Sequence, residues 1–315
     1  MHRTLSVGIA TLDIVNTVED YPSEDSEVRA LSHRIRRGGN AANTADALAQ
    51  LGTHSRWLGV LADDTDARHI LDSFETAGVD YTGAPVIRGG KVPTSYITLS
   101  RTTGSRTIVH YRDLRELLPE DFAAIDLTGL DWVHFEGRDA VSCLAMIHDA
   151  RVRAPGITVS CEIEKPRQGI GELAPACDVV FYSRAYARSR MYRDARTFLA
   201  EHVSAVFDNH GTNRGDSVHG NTPGSTVANT PERAVPEVFC AWGEGGAWLR
   251  SPDGAIHHEP PRSLPAVVDS IGAGDAFNAA AIHTMLESGE ALDALREANR
   301  IAADTCTREG INISK

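Results

Sequence analysis

The chain reads as an α/β protein with a mostly parallel central sheet and a small second β-sheet attached to it. Three observations predict this. From Trp132 onward, apolar strand-like runs alternate with helix-like runs, the pattern of βαβ units. Residues 14–37 and 91–111 are instead β-rich with no helix between paired runs, which sets a second sheet apart from the first. Finally, 315 residues at 42% hydrophobic content suffice to bury a sizeable core without disulfide or metal staples.

Taken in order, Leu5–Ala10 alternates apolar and small residues as a strand that runs out near Asp13. An acidic, proline-punctuated stretch (19–27) follows, then an alternating strand over Val28–Ile35. Gly38-Gly39-Asn40 opens an alanine-rich helix to Leu51, with Gly52 at the position that favours a left-handed stop. Trp57–Leu61 reads as a strand and Ala67–Ala77 as a helix ended by Gly78. Lys91–Leu99 and Arg106–Tyr111 read as two strands around a turn at Gly104. The alternation then gives strands at Trp132–Glu136, Ile157–Ile163, Val179–Tyr182, Val238–Trp242 and Ala247–Arg250. Helices fall at Val141–Val152, Arg193–His202 and Gly274–Glu287. Between Asn209 and Pro231, 14 of 23 residues are Gly, Asn, Ser or Thr, too polar to offset ordering entropy, so this segment is expected to be a mobile insertion.

A net charge of −12 excludes the electrostatic footprint of a general nucleic-acid binder and disfavours an anionic membrane surface. Five scattered cysteines, none spaced Cys-x-x-Cys, argue against a disulfide framework or structural zinc. The opening residues lack a secretory pattern and no apolar run is long enough to span a bilayer, so a cytoplasmic protein is expected.

Two motifs carry chemistry. In Asp269-Ser270-Ile271-Gly272-Ala273-Gly274-Asp275 an apolar run enters a glycine-bracketed turn and a helix follows at once. Gly272, Ala273 and Gly274 would converge their N–H groups on an anion at the helix N-terminus. Asp275, in the first turn, would be held ionised by that same terminus and could accept a proton. An anion hole beside a carboxylate suits phosphoryl transfer. In Gly38-Gly39-Asn40-Ala41-Ala42-Asn43 the two amides share one helix face, and with Asp13 at the end of the preceding strand they form a polyhydroxyl-binding set. Each motif alone also fits a plain capped helix. There is no P-loop, and Gly169-Ile170-Gly171-Glu172-Leu173-Ala174 lies between Pro166 and Pro175, where a dinucleotide strand–turn–helix cannot form. His257-His258 reads as a solvated strand pair and Trp242 and Trp248 as core.

With both motifs in this order and separation, the chain resembles the ribokinase-like (PfkB) carbohydrate kinases, and within them the ketohexokinases. The stretches from Asp13 to Gly52, GSRTIVHY from Gly104, DLTGLDWVHFEGRDA from Asp126, VSCEIEKPR from Val159 and CAWGEGGA from Cys240 carry that likeness. The resemblance implies a three-layer α/β/α sandwich whose small sheet is lid and dimer clasp, hence a homodimer. It implies ATP-dependent phosphorylation of a ketohexose, D-fructose to fructose 1-phosphate. On matching positions it makes Asp275 the general base, Gly272, Ala273 and Gly274 the anion hole, and Asp13, Gly39, Asn40 and Asn43 the sugar ligands. Arg106, Gly243, Glu244, Gly245 and Gly246 fall on the ATP side, and Asp25 toward a partner subunit's sugar. Arg138 and Lys165 stand at strand ends without a definite role. ATP brings Mg²⁺, K⁺ stays an open candidate, and the metal ligands are unassigned. The Asn-x-x-Glu motif used around Mg²⁺ by many relatives is replaced by FYSRAYAR (Phe181 to Arg188), and Gly245 replaces an acidic residue. Open alternatives are a sibling kinase for another sugar, a sugar phosphate or a nucleoside, and a non-catalytic sugar sensor.

Overall fold

The computed structural model describes residues 1–207 and 234–313; the insertion expected over 209–231 lies outside the described residues. In chain order the strands are β1 (Arg3–Val7), β2 (Thr11–Val18), β3 (Ser32–Gly38), β4 (His54–Leu58), β5 (Leu61–Ala62), β6 (Val86–Ile87), β7 (Thr94–Ser100) and β8 (Arg106–Tyr111). They continue with β9 (Trp132–Glu136), β10 (Thr158–Ile163), β11 (Val179–Ser183), β12 (Glu237–Ala241), β13 (Ala247–Arg250) and β14 (Ile256–Glu259). The helices are α1 (Asn40–Gln50), α2 (Ala67–Ala77), α3 (Pro119–Ala123), α4 (Ala140–Arg153), α5 (Arg184–Ser189), α6 (Ala195–Thr197), α7 (Ala273–Ser288) and α8 (Ala291–Thr305).

Strands β9 to β11 are buried almost throughout, on both faces, which suits the interior of a parallel sheet covered on both sides. Eight strands pair in the order β14-β13-β12-β11-β10-β9-β1-β4. All pairings are parallel except those of β13 and β14, which close the sheet as antiparallel edge strands. Alternate side chains sort the two faces. Trp132, Phe181, Phe239 and Leu249 pack against Ala and Leu side chains of α1, α7 and α8. Val133, Phe135, Val159 and Val180 face the other way, toward Phe74 of α2, Phe122 of α3, Ile147 of α4 and Tyr186 of α5. The result is the expected three-layer α/β/α sandwich.

The small sheet has the order β3-β2-β7-β8. One face carries Asp13, Arg34 and Arg36; Arg36 reaches back to Asp269 and Arg34 to Glu309 on the main body. The other face presents Ile35, Ile14, Tyr96 and Val109 as one lateral row across all four strands.

Helix α2 and strands β8 and β9 fall on the residues expected from the sequence. Two expectations change. The strand expected over Val28–Ile35 begins only at Ser32, because its partner β2 offers its last register position at Thr17. Asp13 does not end the first strand: the chain leaves the central sheet after Val7 and Asp13 stands inside β2, so the small sheet carries this carboxylate. No helix among the described residues is long and apolar enough to cross a membrane.

Candidate active site

The turn before α1 is set by steric necessity. Gly39 has φ +96, and a Cβ built on it would lie 2.2 Å from the Ile9 carbonyl oxygen. A Cβ on Gly38 would fall 2.3 Å from Asp13 Oδ2, so the Asp13 carboxylate packs directly on the glycine backbone. This close approach starts α1 at Asn40 and puts Asn43 one turn later on the same face. Asn40 Nδ2 donates to Glu162 Oε2 at 2.9 Å and to Glu164 Oε2 at 3.2 Å. Asn43 Nδ2 donates to Asp275 Oδ2 at 2.7 Å, while its Oδ1 accepts from Arg37 Nη1 at 2.8 Å. Each amide keeps spare donor or acceptor capacity for a hydroxyl.

Opposite stands the N-terminus of α7. Gly272, left-handed at φ 83, turns the chain into the helix, and Ile311 closes over it so that an added Cβ would meet Ile311 Cγ1 at 2.7 Å. Asp269 stabilises the approach, accepting from Arg36 Nη1 at 2.6 Å and from the Ile271 N–H at 2.9 Å. Asp275 sits in the first turn at 6% exposure.

The electrostatics correct one expectation. Asp275 is not held ionised by the helix terminus: burial, then the neighbouring Glu162, with Glu164 and Glu136 adding, push its carboxyl well above the usual range, against the Asn43 bond. The helix contributes only a partial charge, and burial together with the carboxyl neighbours outweighs it. A raised carboxyl is also the stronger base once ionised, which suits a group that must take a hydroxyl proton. Burial and the Glu164 carboxylate push Glu162 up to about 8. Glu136 accepts from the Ile9 and Ala41 N–H groups at 3.0 and 3.2 Å and pairs with Arg138 Nη1 at 3.1 Å.

Sequence reasoning missed Glu136 and Glu162 as site residues. They are register partners at the C-terminal ends of β9 and β10. The available signal was a carboxylate near the C-terminal end of a strand-like run, at the end of an open α/β sheet where ligands bind. Arg37 and Asp46 were missed too, and nothing in their spacing marks them. A cavity of about 150 Å³ lies among Asp13, Arg36, Arg37, Asn43, Ile271 and Ile311. A larger open hollow of about 950 Å³, near His2, Asp131 and Arg153, gathers none of these groups.

Of the remaining residues, Gly243, Glu244, Gly245 and Gly246 form a tight turn after β12. Trp242 N–H donates to the Gly246 carbonyl at 2.8 Å, Arg184 Nη1 donates to the Trp242 carbonyl at 3.3 Å, and a Cβ on Gly245 would lie 2.7 Å from Trp242 Cδ1. The tryptophan therefore occupies the space of the acidic side chain expected at 245. Arg106 opens β8 opposite Leu99, at the end of the small sheet away from Gly38. Asp25 lies exposed in the segment between β2 and β3. His257 and His258 lie on β14, and Trp248 stacks on His258 with ring centres 4.0 Å apart. Among the described residues no three His, Cys, Asp or Glu side chains gather as a metal cage.

A family model described as pfkB family carbohydrate kinase matches residues 1–192 and 218–315. The chain belongs to the pfkB family of carbohydrate kinases. This pfkB kinase is 34% identical to ketohexokinase from Mus musculus, over 98% of each chain. It is 29% identical to ATP-dependent ribose-1-phosphate kinase from Halopiger xanaduensis, over 98% of this chain and 94% of the other. The fold of the pfkB kinase matches Arabidopsis thaliana ribokinase complexed with ribose and ATP, at a TM-score of 0.73 and 18% identity, covering 98% and 93% of the two chains. The protein is thus a carbohydrate kinase, an ATP-dependent phosphotransferase acting on a small sugar.

Proposed function

We propose that the protein transfers the γ-phosphoryl group of ATP to a ketohexose, making fructose 1-phosphate from D-fructose. One observation carries this reading: Asn43, which lines a small cavity with Asp13, donates to the buried Asp275 at 2.7 Å in a chain 34% identical to a ketohexokinase over 98% of its length. Asp13 and the two amides would hold adjacent sugar hydroxyls, with Gly39 keeping the backbone close. Asp275 takes the proton of the attacking hydroxyl as its oxygen bonds to the γ-phosphorus and the bond to the ADP oxygen breaks. The N–H groups of Gly272, Ala273 and Gly274 face the charge on the transferring group. Arg106 and the Gly243–Gly246 turn with Glu244 would lie along the nucleotide. Mg²⁺ enters on the ATP phosphates, with few protein ligands, as Mg²⁺ commonly does.

A second reading is favoured by Arg36 and Arg37 lining the small cavity, in a chain also similar to a ribose-1-phosphate kinase: the acceptor would be a sugar phosphate. ADP release with Mg²⁺-ATP against D-fructose, tagatose, ribose, ribose 1-phosphate, fructose 6-phosphate and adenosine separates these. The first reading expects fastest turnover on D-fructose, and turnover only on a phosphorylated sugar would replace it. In Asp275→Asn turnover on the best acceptor should fall at least about 10²-fold. An unchanged rate would remove Asp275 as base.

The protein is further proposed to work as a homodimer through its small sheets, with Asp25 directed to the partner's sugar. The lateral row on that sheet exposes Ile35 by 44%, Tyr96 by 46% and Val109 by 65%, an apolar strip that a second copy would cover.

A further inference from the structure

Arg37 is the penultimate residue of the small sheet's strand β3, yet its side chain is only 4% exposed. It is plugged between two helices of the main body: Nε donates to Ser73 Oγ on α2 at 3.0 Å, Nη1 to Asn43 Oδ1 on α1 at 2.8 Å, and Nη2 pairs with Asp46. The guanidinium lies over the Phe74 ring, 5.4 Å from its centre. A charge buried this deeply is costly, and an apolar side chain of similar volume would often serve stability as well.

What the charge supplies is an orientation. An asparagine amide has an acceptor at one end and donors at the other. Because Arg37 can only donate, Asn43 must turn Oδ1 toward it, and Nδ2 is then aimed at Asp275, 2.7 Å away. The flipped amide would oppose donor to donor and acceptor to acceptor. We propose that Arg37 is a positioning residue of the catalytic base: it fixes the Asn43 amide as a donor to Asp275 and makes that arrangement conditional on the small sheet being docked.

The charges facing Asp275 come from several elements. Glu136 on β9 and Glu162 and Glu164 on and after β10 oppose its ionisation, and the Asn43 amide on α1 favours it. Arg37 is attracted to Asp275 as well as to Asp46 and Asp13. Arg138 is paired with Glu136 and Glu116, and Lys165 with Glu164, so these cations are committed to other carboxylates. Arg37 thus reaches Asp275 both as a cation and through the Asn43 amide.

The inference rests on Asp275 acting as the base, and its test is independent of which sugar is preferred. Arg37→Lys and Arg37→Met are compared with the unaltered protein, using whichever acceptor turns over fastest. An ammonium keeps the charge but cannot serve Ser73, Asn43 and Asp46 together. Arg37→Lys should therefore lose on the order of tenfold in kcat, with the acidic limb of the pH–rate profile unmoved. Arg37→Met should lose on the order of 10²-fold, with KM for ATP within about twofold and the acidic limb displaced to higher pH. Either folded variant with full kcat overturns the proposal. So does an Arg37→Met whose kcat falls while the acidic limb stays, the mark of a merely structural role. Should Arg37→Met not fold, Arg37→Lys decides alone by its kcat. Where no acceptor in the panel turns over, a ¹³C NMR titration of the Asp275 carboxyl reads the same displacement without catalysis, and an unmoved midpoint in Arg37→Met overturns it.

Discussion

At Gly39 two demands meet that no other residue satisfies: a backbone at φ +96 and a carbonyl oxygen where a Cβ would stand, 2.2 Å away. Gly39→Ala is expected to cost at least about 2 kcal/mol in urea unfolding and to misplace Asn40 and Asn43, so that turnover falls with stability. Gly52, with nothing within 4 Å of an added Cβ, provides the contrast. At φ +96, Gly52→Ala pays only the backbone strain, about 1 kcal/mol, and should leave kcat unchanged. The same scale shows what a sequence can reveal of a site. Asp275, Asn40 and Asn43 were legible because glycine motifs and a helical period announce them. Arg37 was not, because its meaning depends on Ser73, Asn43 and Asp46 arriving from two other elements. The ionisation of Asp275 was misread for a similar reason. Its helix was visible, while its burial, and the Glu136, Glu162 and Glu164 that add to it from more than a hundred residues upstream, were not.

At the scale of elements, β9 and β10 carry both the core and the site. Along β9, Trp132 packs, His134 is buried with Nδ1 against Ser160 Oγ at 2.8 Å, and Glu136 reaches the site. Burial pushes His134 down to about 3 and Glu162 up to about 8. The signs oppose one another. Glu162 stays protonated in the fold where the unfolded chain would ionise it, so stability falls as pH rises from about 4.5 toward 8. His134 stays neutral where the unfolded chain would protonate, so stability also falls as pH drops below about 6.5. Thermal unfolding from pH 5 to 8 should show Tm declining on the alkaline side, and Glu162→Gln should flatten that decline while leaving the acid side unchanged. An equal slope in both proteins would reassign the effect. Elements with local signals were legible: Gly78, left-handed at φ 73, stops α2 where the sequence expects it. The bounds of β2 and β3 were not, since strand ends are set by register with distant partners, and β7 lies some eighty residues beyond β2.

Across the whole molecule, the small sheet is the part whose surface is unfinished. Every residue of β8 is exposed, and Tyr96 and Val109 stand side by side in the apolar row. Val109→Asp, alone or with Tyr96→Glu, is expected to shift the protein from dimer to monomer in light scattering after size exclusion, with the main body still folded. A monomer in the unaltered protein would remove the clasp instead. The fold class was legible because it follows from the strand–helix alternation, which is repeated many times along the chain. The lid placement of the small sheet came only with the family resemblance, since it depends on the ion pairs Arg36–Asp269 and Arg34–Glu309 that join residues far apart in sequence.

The contact of Ile311 with Gly272 has a consequence for how the enzyme is made. Gln50, at the end of α1, donates to the Ile311 carbonyl at 3.0 Å and accepts from the Ile313 N–H at 2.8 Å. Strand β1 likewise waits for β9 as its inner neighbour. During translation, then, α1 leaves the ribosome long before the partner that covers the Gly272 turn, since Gln50 and Ile311 stand 261 residues apart. A nascent chain halted before Ile311 would hold Asn40, Asn43 and Asp275 and still lack the side chain that closes over Gly272.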